Sequence, residues 1–311
     1  MTESKEFFFG IGVASCEQFG GLFKTVQNLI EIRKNLKSQD IDIDLCVSDN
    51  NSKNFPSNLI DLLAINGIRF VTQEQNIGFA GNLMYLLRNM DSRYVLVIGC
   101  GELVKADAMR ELITNLGKAD SGVTEILGGT LGTSHAESTL EGGFSLSPDN
   151  LAVDPAISLS IWNSGFIDEA MLEKEYPNDW PHVELAVAVN KKYPEGNYFH
   201  YARMTVILDQ PSDGWHNSPD FLNLILRHDA LVKENPRINL GKELSRNYRA
   251  VGSWIYYYRR TSNKRPPLQS LARVLVRVKS NPTSLIYILA MSALPKFVIR
   301  GVSKLVNSRE I

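Results

Sequence analysis

Apolar runs and short polar breaks alternate in a regular order over the first third of the chain. "EFFFGIGVASC" is an apolar run ending in small residues, and "GLFKTVQNLIEIRKNL" behind it places Leu22, Val26, Leu29 and Ile30 at helical spacing. "IDIDLCVSDNNS" alternates as a strand does and ends in turn formers, after which "SNLIDLLAING" is helical and stops at Gly67. "IRFVTQ" then reads as a strand, "NIGFAGNLMYLLRNM" as a loop entering a helix, "YVLVIG" as a strand and "VKADAMRELITNLG" as a helix closed by Gly117. Four strand-helix alternations predict right-handed crossovers and a mostly parallel sheet. In such a sheet, ligands bind beyond the carboxyl ends of the strands.

After Gly117 the pattern loosens. "TEILGGTLGTS", "SLSIWNSGFI" and "RMTVIL" read as further strands, with 142–155 as a Gly-, Ser- and Pro-containing loop between them. "SPDFLNLILRHDALVKE" reads as a helix with Ser218 as N-cap and Pro219 at its first position. The expected organisation is one α/β domain over 1–235, made of a binding half (1–117) and a second half (118–235), followed by a basic helical extension over 236–311.

Composition narrows the setting. With 311 residues, 44% of them hydrophobic and 22% charged, a sizeable core is expected. Cys16, Cys46 and Cys100 form no CxxC pair, so neither a disulfide framework nor a zinc cluster is indicated, and a reducing cytoplasmic setting is expected. The first residues, "MTESKEFFFG", lack the basic and apolar regions of a signal peptide. The net charge of −1 hides an asymmetry: from Arg259 onward there are 11 Lys and Arg against one acid, leaving 22 basic and 33 acidic residues before it. A tail of +10 on a body of −11 is suited to an anionic partner.

Several motifs are absent. "GIGVAS" has Gly10 and Gly12 but Ser15 in place of a third glycine, and the next strand-end acid, Asp49, is too distant for a dinucleotide fingerprint. There is no GxxxxGK[ST], GxSxG or HExxH. What recurs is a polar group at each strand end: Ser15 and Glu17, then Asp49-Asn50-Asn51-Ser52, then Asn76 and Asn82, then Glu102. Asp49 is an acceptor matched to the N–H and O–H donors of a nucleoside, whereas an Asx-turn is the expectation for Asn51 and Ser52. In "VLVIGCGELV", Glu102 is the lone carboxylate, expected on a loop tip beyond a buried strand.

Three stretches in register resemble family 2 glycosyltransferases: "VSDNNSKN" their "vDngStD" strand end, "NIGFAGNL" their "N-x-G-x-a-x-a-x-N" segment, and "YVLVIGCGELVKADAMREL" the strand carrying their DxD motif. The resemblance implies a GT-A fold, a nucleotide-sugar donor and a Mg²⁺ or Mn²⁺ ion against the diphosphate. Asp49 would then meet the nucleoside and Glu102 the cation, Cys100 and Gly101 standing where relatives carry acids. Ser15, Glu17, Asn76 and Asn82 would line the donor site.

"NDWPHVELAVAV" is similar to the family's "ED-x-E-L" segment, making His182 and then Asp179 the candidates for taking a proton from the acceptor hydroxyl, with Glu184 adjacent. Trp162 and Asn163 offer an aromatic face and an amide to a sugar, and His216, next to Trp215, is a candidate metal or phosphate contact. In the tail, Leu285 to Leu294 is too short to span a bilayer. "LARVLVRV" and "PKFVIRGVSKLV" suit helices lying on an anionic membrane surface, with nucleic-acid binding and packing on the body as the competing readings.

The resemblance thus implies a hexosyl- or deoxyhexosyltransferase acting on a lipid-linked saccharide in O-antigen or capsule synthesis, peripheral at the inner face of the cell membrane. The alternatives are a nucleotide-sugar-binding or membrane-docking protein without turnover, and a sugar nucleotidyltransferase. The missing Gly-rich phosphate loop counts against the latter.

Overall fold

The computed structural model describes residues 7–123, 125–131, 144–147, 158, 160–176, 181–201 and 206–208, with helical positions at 271, 272, 275, 286, 288–290 and 292. Strand β1 (Phe7–Ser15) leads into helix α1 (Phe19–Lys37), β2 (Ile43–Asp49) into α2 (Ser57–Ile65), and β3 (Arg69–Thr72) into α3 (Gly78–Asn89). Then follow β4 (Ser92–Gly99), a short β5 (Glu102–Val104), α4 (Ala106–Gly122), β6 (Ile126–Leu131), β7 (Phe144–Ser147) and β8 (Ser160–Asn163). A 3₁₀ turn at Ser164–Phe166, α5 (Glu169–Glu173), α6 (Pro181–Lys192), β9 (Asn197–Tyr201) and β10 (Val206–Leu208) complete the described elements. Contacts divide the chain into two units, Met1–Pro211 and Ser212–Ile311.

The main sheet has the order β3-β2-β1-β4-β8-β6-β9-β7. Strands β3, β2, β1 and β4 are parallel neighbours, β8 and β7 run against their partners, and β6 pairs with β9 in parallel. The mostly parallel α/β sheet expected from the sequence is therefore present. Chain order moves outward from β1 to β3 and then returns to β4 on the other side of β1, so the strand order reverses between β1 and β4. A reversal of this kind opens a crevice at the carboxyl ends of the two strands.

Period-two alternation explains how β1 fills both faces. Phe9, Ile11 and Val13 join Leu22, Val26 and Leu29 of α1 and Met109, Leu112 and Leu116 of α4 in one buried cluster. The opposite face carries Gly10 and Gly12. A Cβ at Gly10 would lie 2.6 Å from Met90 Cε, and one at Gly12 would lie 3.1 Å from Leu86 Cδ2. The two glycines that resemble part of a phosphate fingerprint thus lie inside a strand, where they admit the end of α3.

Some expectations are corrected. Helix α4 continues past Gly117 to Gly122, because a glycine mid-helix costs only about 1 kcal/mol and the buried residues Leu112, Ile113, Leu116 and Ala119 hold the helix to the sheet. Residues Phe144–Ser147, expected within a loop, form the edge strand beside β9. Glu102 opens β5, which pairs antiparallel with β10, and so is not on a loop tip. The helix expected at 218–234, the domain boundary at 235/236 and "PKFVIRGVSKLV" lie outside the described residues. Among the described residues no helix is long and apolar enough to cross a membrane.

Two polar devices hold the strand ends in place. On α1, Thr25 Oγ1 accepts from the Gly101 N–H (2.9 Å) and donates to the Glu102 carbonyl (3.0 Å). One turn on, the Asn28 amide accepts from the Val104 N–H (2.6 Å) and donates to its carbonyl (3.1 Å). At the other end of the sheet, buried Asp44 takes two bonds from Arg69 and one from the Asp91 N–H (3.1 Å), tying β2 to β3 and to the start of β4.

Asn28→Ala strands both main-chain groups of Val104, so a loss of about 2 kcal/mol in urea unfolding is expected, together with faster hydrogen exchange at the Val104 amide. An unchanged Val104 exchange rate would show that the amide side chain does not hold β5. Asp44→Ala removes the acceptor of three bonds, two of them from a guanidinium, and is expected to cost about 2 kcal/mol by the same measurement, with Arg69 half exposed and able to hydrate.

Candidate functional site

The carboxyl ends of β1, β2 and β4 stand side by side. Ser15 pairs with Asp49 in the β1–β2 register and Ala14 with Gly99 in the β1–β4 register, so Asp49 and the Gly99–Glu102 turn flank the exit of β1. Each side chain at this end is held by a specific bond.

Asp49 is fully buried. Its Oδ2 accepts the Ser52 N–H (2.8 Å) and its Oδ1 the Ser52 hydroxyl (2.6 Å), while Ser52 Oγ accepts the Glu17 N–H (2.7 Å). The turn is therefore closed by Asp49, with Ser52 as donor. Asn51 takes a left-handed conformation (φ 58°) to allow it, and Glu17 does the same (φ 52°) as the chain leaves β1. Asn50 joins three segments: its N–H donates to the Ser15 carbonyl (2.8 Å), its amide donates to Asn76 Oδ1 (3.0 Å), and its Oδ1 accepts the Ile77 N–H (2.8 Å). Asn82 donates from Nδ2 to the Ser48 carbonyl (3.0 Å), but its buried Oδ1 has no hydrogen-bond partner. Among the described residues the buried Ser15 Oγ has no N–H or O–H partner, the Cys100 thiol lying beside it. Two orphan polar atoms at one strand end mark a place where a ligand or water can complete the bonding.

Glu102 folds back onto the strand it follows. Oε2 accepts the Gly99 N–H (2.7 Å) and Oε1 the Ser158 hydroxyl (2.9 Å). Burial raises its pKa, and these two donors oppose the rise. The reversal needs Gly101, whose φ is +86°, and it needs Gly21 on α1, where a Cβ would sit 3.0 Å from the Gly101 nitrogen. Cys100 lies between, its Sγ 3.6 Å from the Ala14 carbonyl, and burial pushes its pKa up to about 11.

As a test for a cation, this donor set fits poorly. Each Glu102 oxygen keeps one lone pair beyond its hydrogen bond, and among the described residues no group of three or more His, Cys, Asp or Glu could hold a metal ion. A cation here would take its remaining ligands from phosphate and water.

The other sequence candidates lie elsewhere. Asn163 pairs with Tyr94 and Trp162 with Val95, toward the start of β4 and away from Asp49 and Glu102. The Asn163 amide is occupied by the Ile126 carbonyl and the Gly165 N–H, and the Trp162 ring is buried. His182 is 1% exposed in the first turn of α6, near α3. Asp179 and His216 lie outside the described residues. Sequence reasoning missed Ser158, Thr25, Asn28 and the bridging role of Asn50. Thr25 had a signal, since it interrupts the apolar face of α1 between Leu22 and Leu29.

No protein-family model matches the chain, and no curated protein sequence matches it. Solved structures do. The Pyrobaculum calidifontis mannosyltransferase PcManGT, in complex with GDP-Man and Mn²⁺, superposes with a TM-score of 0.53 at 12% identity, over 98% of this chain and 82% of that one. Residues 1–349 of S. aureus TarS, in complex with UDP-GlcNAc, superpose with a TM-score of 0.50 at 11% identity, over 92% and 90%. Against a longer TarS structure the chain spans 55% of the length. At these identities the likeness is one of fold, and it agrees with the sheet order and flanking helices described above. The chain therefore has a GT-A-like fold, shared with these two structures.

Proposed function

We propose that this chain transfers a hexosyl or deoxyhexosyl group from a nucleoside diphosphate donor to a lipid-linked saccharide, in the assembly of a bacterial surface polysaccharide such as O-antigen or capsule. The observation that carries the reading is the gathering of Asp49, Asn50, Asn82, Ser15 and the Gly99–Glu102 turn at the strand-order reversal of a GT-A-like sheet. Asp49 and Asn50 take the nucleoside, with Asn76 and Glu17 shaping the rim, and Asn82 Oδ1 and Ser15 Oγ supply the open polar contacts. A Mg²⁺ or Mn²⁺ ion enters this reading as one carried by the diphosphate, met by Glu102, and it would offset phosphate charge. Asp179 and His182 are the proposed proton acceptors from the acceptor hydroxyl. His182 is sealed here and must be uncovered to act.

A second reading, a nucleotide-sugar-binding protein without turnover, is favoured by the engagement of both Glu102 oxygens. The two readings share donor binding and differ in nucleotide release.

The membrane part of the proposal draws on the second unit. Ile286 and Leu289, both at helical positions, are 67% and 43% exposed, while Ile288 is sealed. Exposed apolar side chains on a tail of +10 suit the boundary of an anionic lipid surface.

Titration calorimetry with UDP and GDP is expected to show binding of at least one of them, weakened about tenfold by Asp49→Ala through the loss of an anionic acceptor. Release of nucleotide from UDP- and GDP-sugars is expected in the wild type, with only a small dependence on Mn²⁺, because both Glu102 oxygens are already hydrogen-bonded. Binding without release in any condition would establish the second reading. Flotation on phosphatidylglycerol vesicles is expected to drop about fivefold when Ile286→Asp and Leu289→Asp are combined, each change removing an exposed apolar side chain that would enter the lipid and adding charge repulsion. Equal flotation of the double variant would remove this face from the proposal.

A further inference from the structure

Two of the three cysteines leave the sheet at the same place. Ala14 of β1 and Gly99 of β4 are paired neighbours, and each chain reaches a cysteine within two residues: Cys16 after β1 and Cys100 after β4. Parallel neighbours lie about 4.8 Å apart. A disulfide spans Cα atoms roughly 4.4–6.8 Å apart, so adjacent strand exits are within reach of one. The Cys100 sulfur already points across the gap. It sits 3.6 Å from the Ala14 carbonyl oxygen, to which the thiol donates. Cys16 is exposed, and Cys100 half-buried. Cys46 is the contrast: it is buried inside β2, in register with Gly12 and Arg69.

We propose that Cys16 and Cys100 form a reversible disulfide that staples the exits of β1 and β4 and closes the crevice between them. The exposed Cys16 thiolate attacks a low-molecular-weight disulfide such as glutathione disulfide, forming a Cys16–glutathione mixed disulfide and releasing one glutathione thiolate. The Cys100 thiolate then attacks Cys16 Sγ, forming the Cys16–Cys100 bond and expelling the second glutathione. Two protein thiols are oxidised, and one glutathione disulfide is reduced to two glutathione molecules. The second step is intramolecular and needs no encounter.

The consequence for binding rests on the donor-site reading of this crevice. Drawing Cys16 onto Cys100 moves the Cys16–Gln18 segment over the strand ends and toward the turn that Glu102 closes. It also places two sulfurs where a diphosphate would lie between β1 and β4. Oxidation is therefore expected to block nucleotide binding, and a thiol reductant to restore it.

The test incubates the full-length chain with glutathione disulfide, follows it by peptide mapping without reduction, and titrates the oxidised and reduced forms with UDP and GDP. The expected result is a Cys16–Cys100 peptide with Cys46 unmodified, an affinity about tenfold lower in the oxidised form, and recovery with dithiothreitol. Cys100→Ser should instead stop at a stable glutathione adduct on Cys16, and Cys16→Ser should make the affinity insensitive to oxidation. A wild-type chain that accumulates the Cys16 adduct without the cross-link, or that links Cys46, overturns the disulfide. A cross-link that leaves the affinity unchanged overturns the closure. A reduced chain that binds neither nucleotide defeats the donor-site reading, while the mapping still decides the disulfide.

Discussion

The register of β1 between β2 and β4 is the constraint on which the site depends. Parallel pairing is indifferent to side chains, yet it places Ser15 level with Asp49 and Ala14 level with Gly99. A shift of one residue in either ladder would set Phe9, Ile11 and Val13 against the end of α3, where only glycines fit, and leave Gly10 and Gly12 facing α1 and α4. The clash on one face and the voids on the other therefore protect the alignment of the polar strand ends. Hydrophobic packing in the middle of the sheet sets the chemistry at its end.

The buried polar groups at this end are satisfied almost entirely by main-chain N–H groups and hydroxyls. Asp49 and Glu102 each accept two such bonds, and no cationic side chain is bonded to either among the described residues. An acid held in this way is oriented before a ligand arrives, so little of its hydrogen bonding must be rebuilt on binding. The orphan oxygens of Ser15 and Asn82 are the complement: polar atoms kept dry by the sheet and left with capacity. Cys100 and Gly101 have a geometric role in the same turn. Gly101 supplies the left-handed residue that returns Glu102 to Gly99, and the Cys100 thiol fills the space beside Ala14.

Much of the binding half was legible. The first four strands and their helices follow the apolar periodicity to within a few residues, because each buries one continuous face and the pattern of that face is local. Two of the departures have identifiable causes. Helix α4 runs through Gly117 because its packing outweighs a weak local preference, and β7 was hidden because an edge strand of four residues has too little periodicity to detect. Ser158 could not have been found in sequence. It acts on an acid 56 residues away, and nothing near it predicts that contact.

By itself, the sequence determined which segments are strands and helices in the binding half, that the strands are mostly parallel, and that polar residues stand at their exits. It also carried the charge division between body and tail. These are local properties: side-chain spacing, turn chemistry and composition. Only the tertiary structure decided which exits are neighbours, that Glu102 turns back onto Gly99 and Ser158, that Trp162 and Asn163 lie toward the other end of β4, and that the strands ahead of Cys16 and Cys100 are adjacent. Those outcomes depend on strand order and register, set by burial across the whole sheet, which no window of the chain contains.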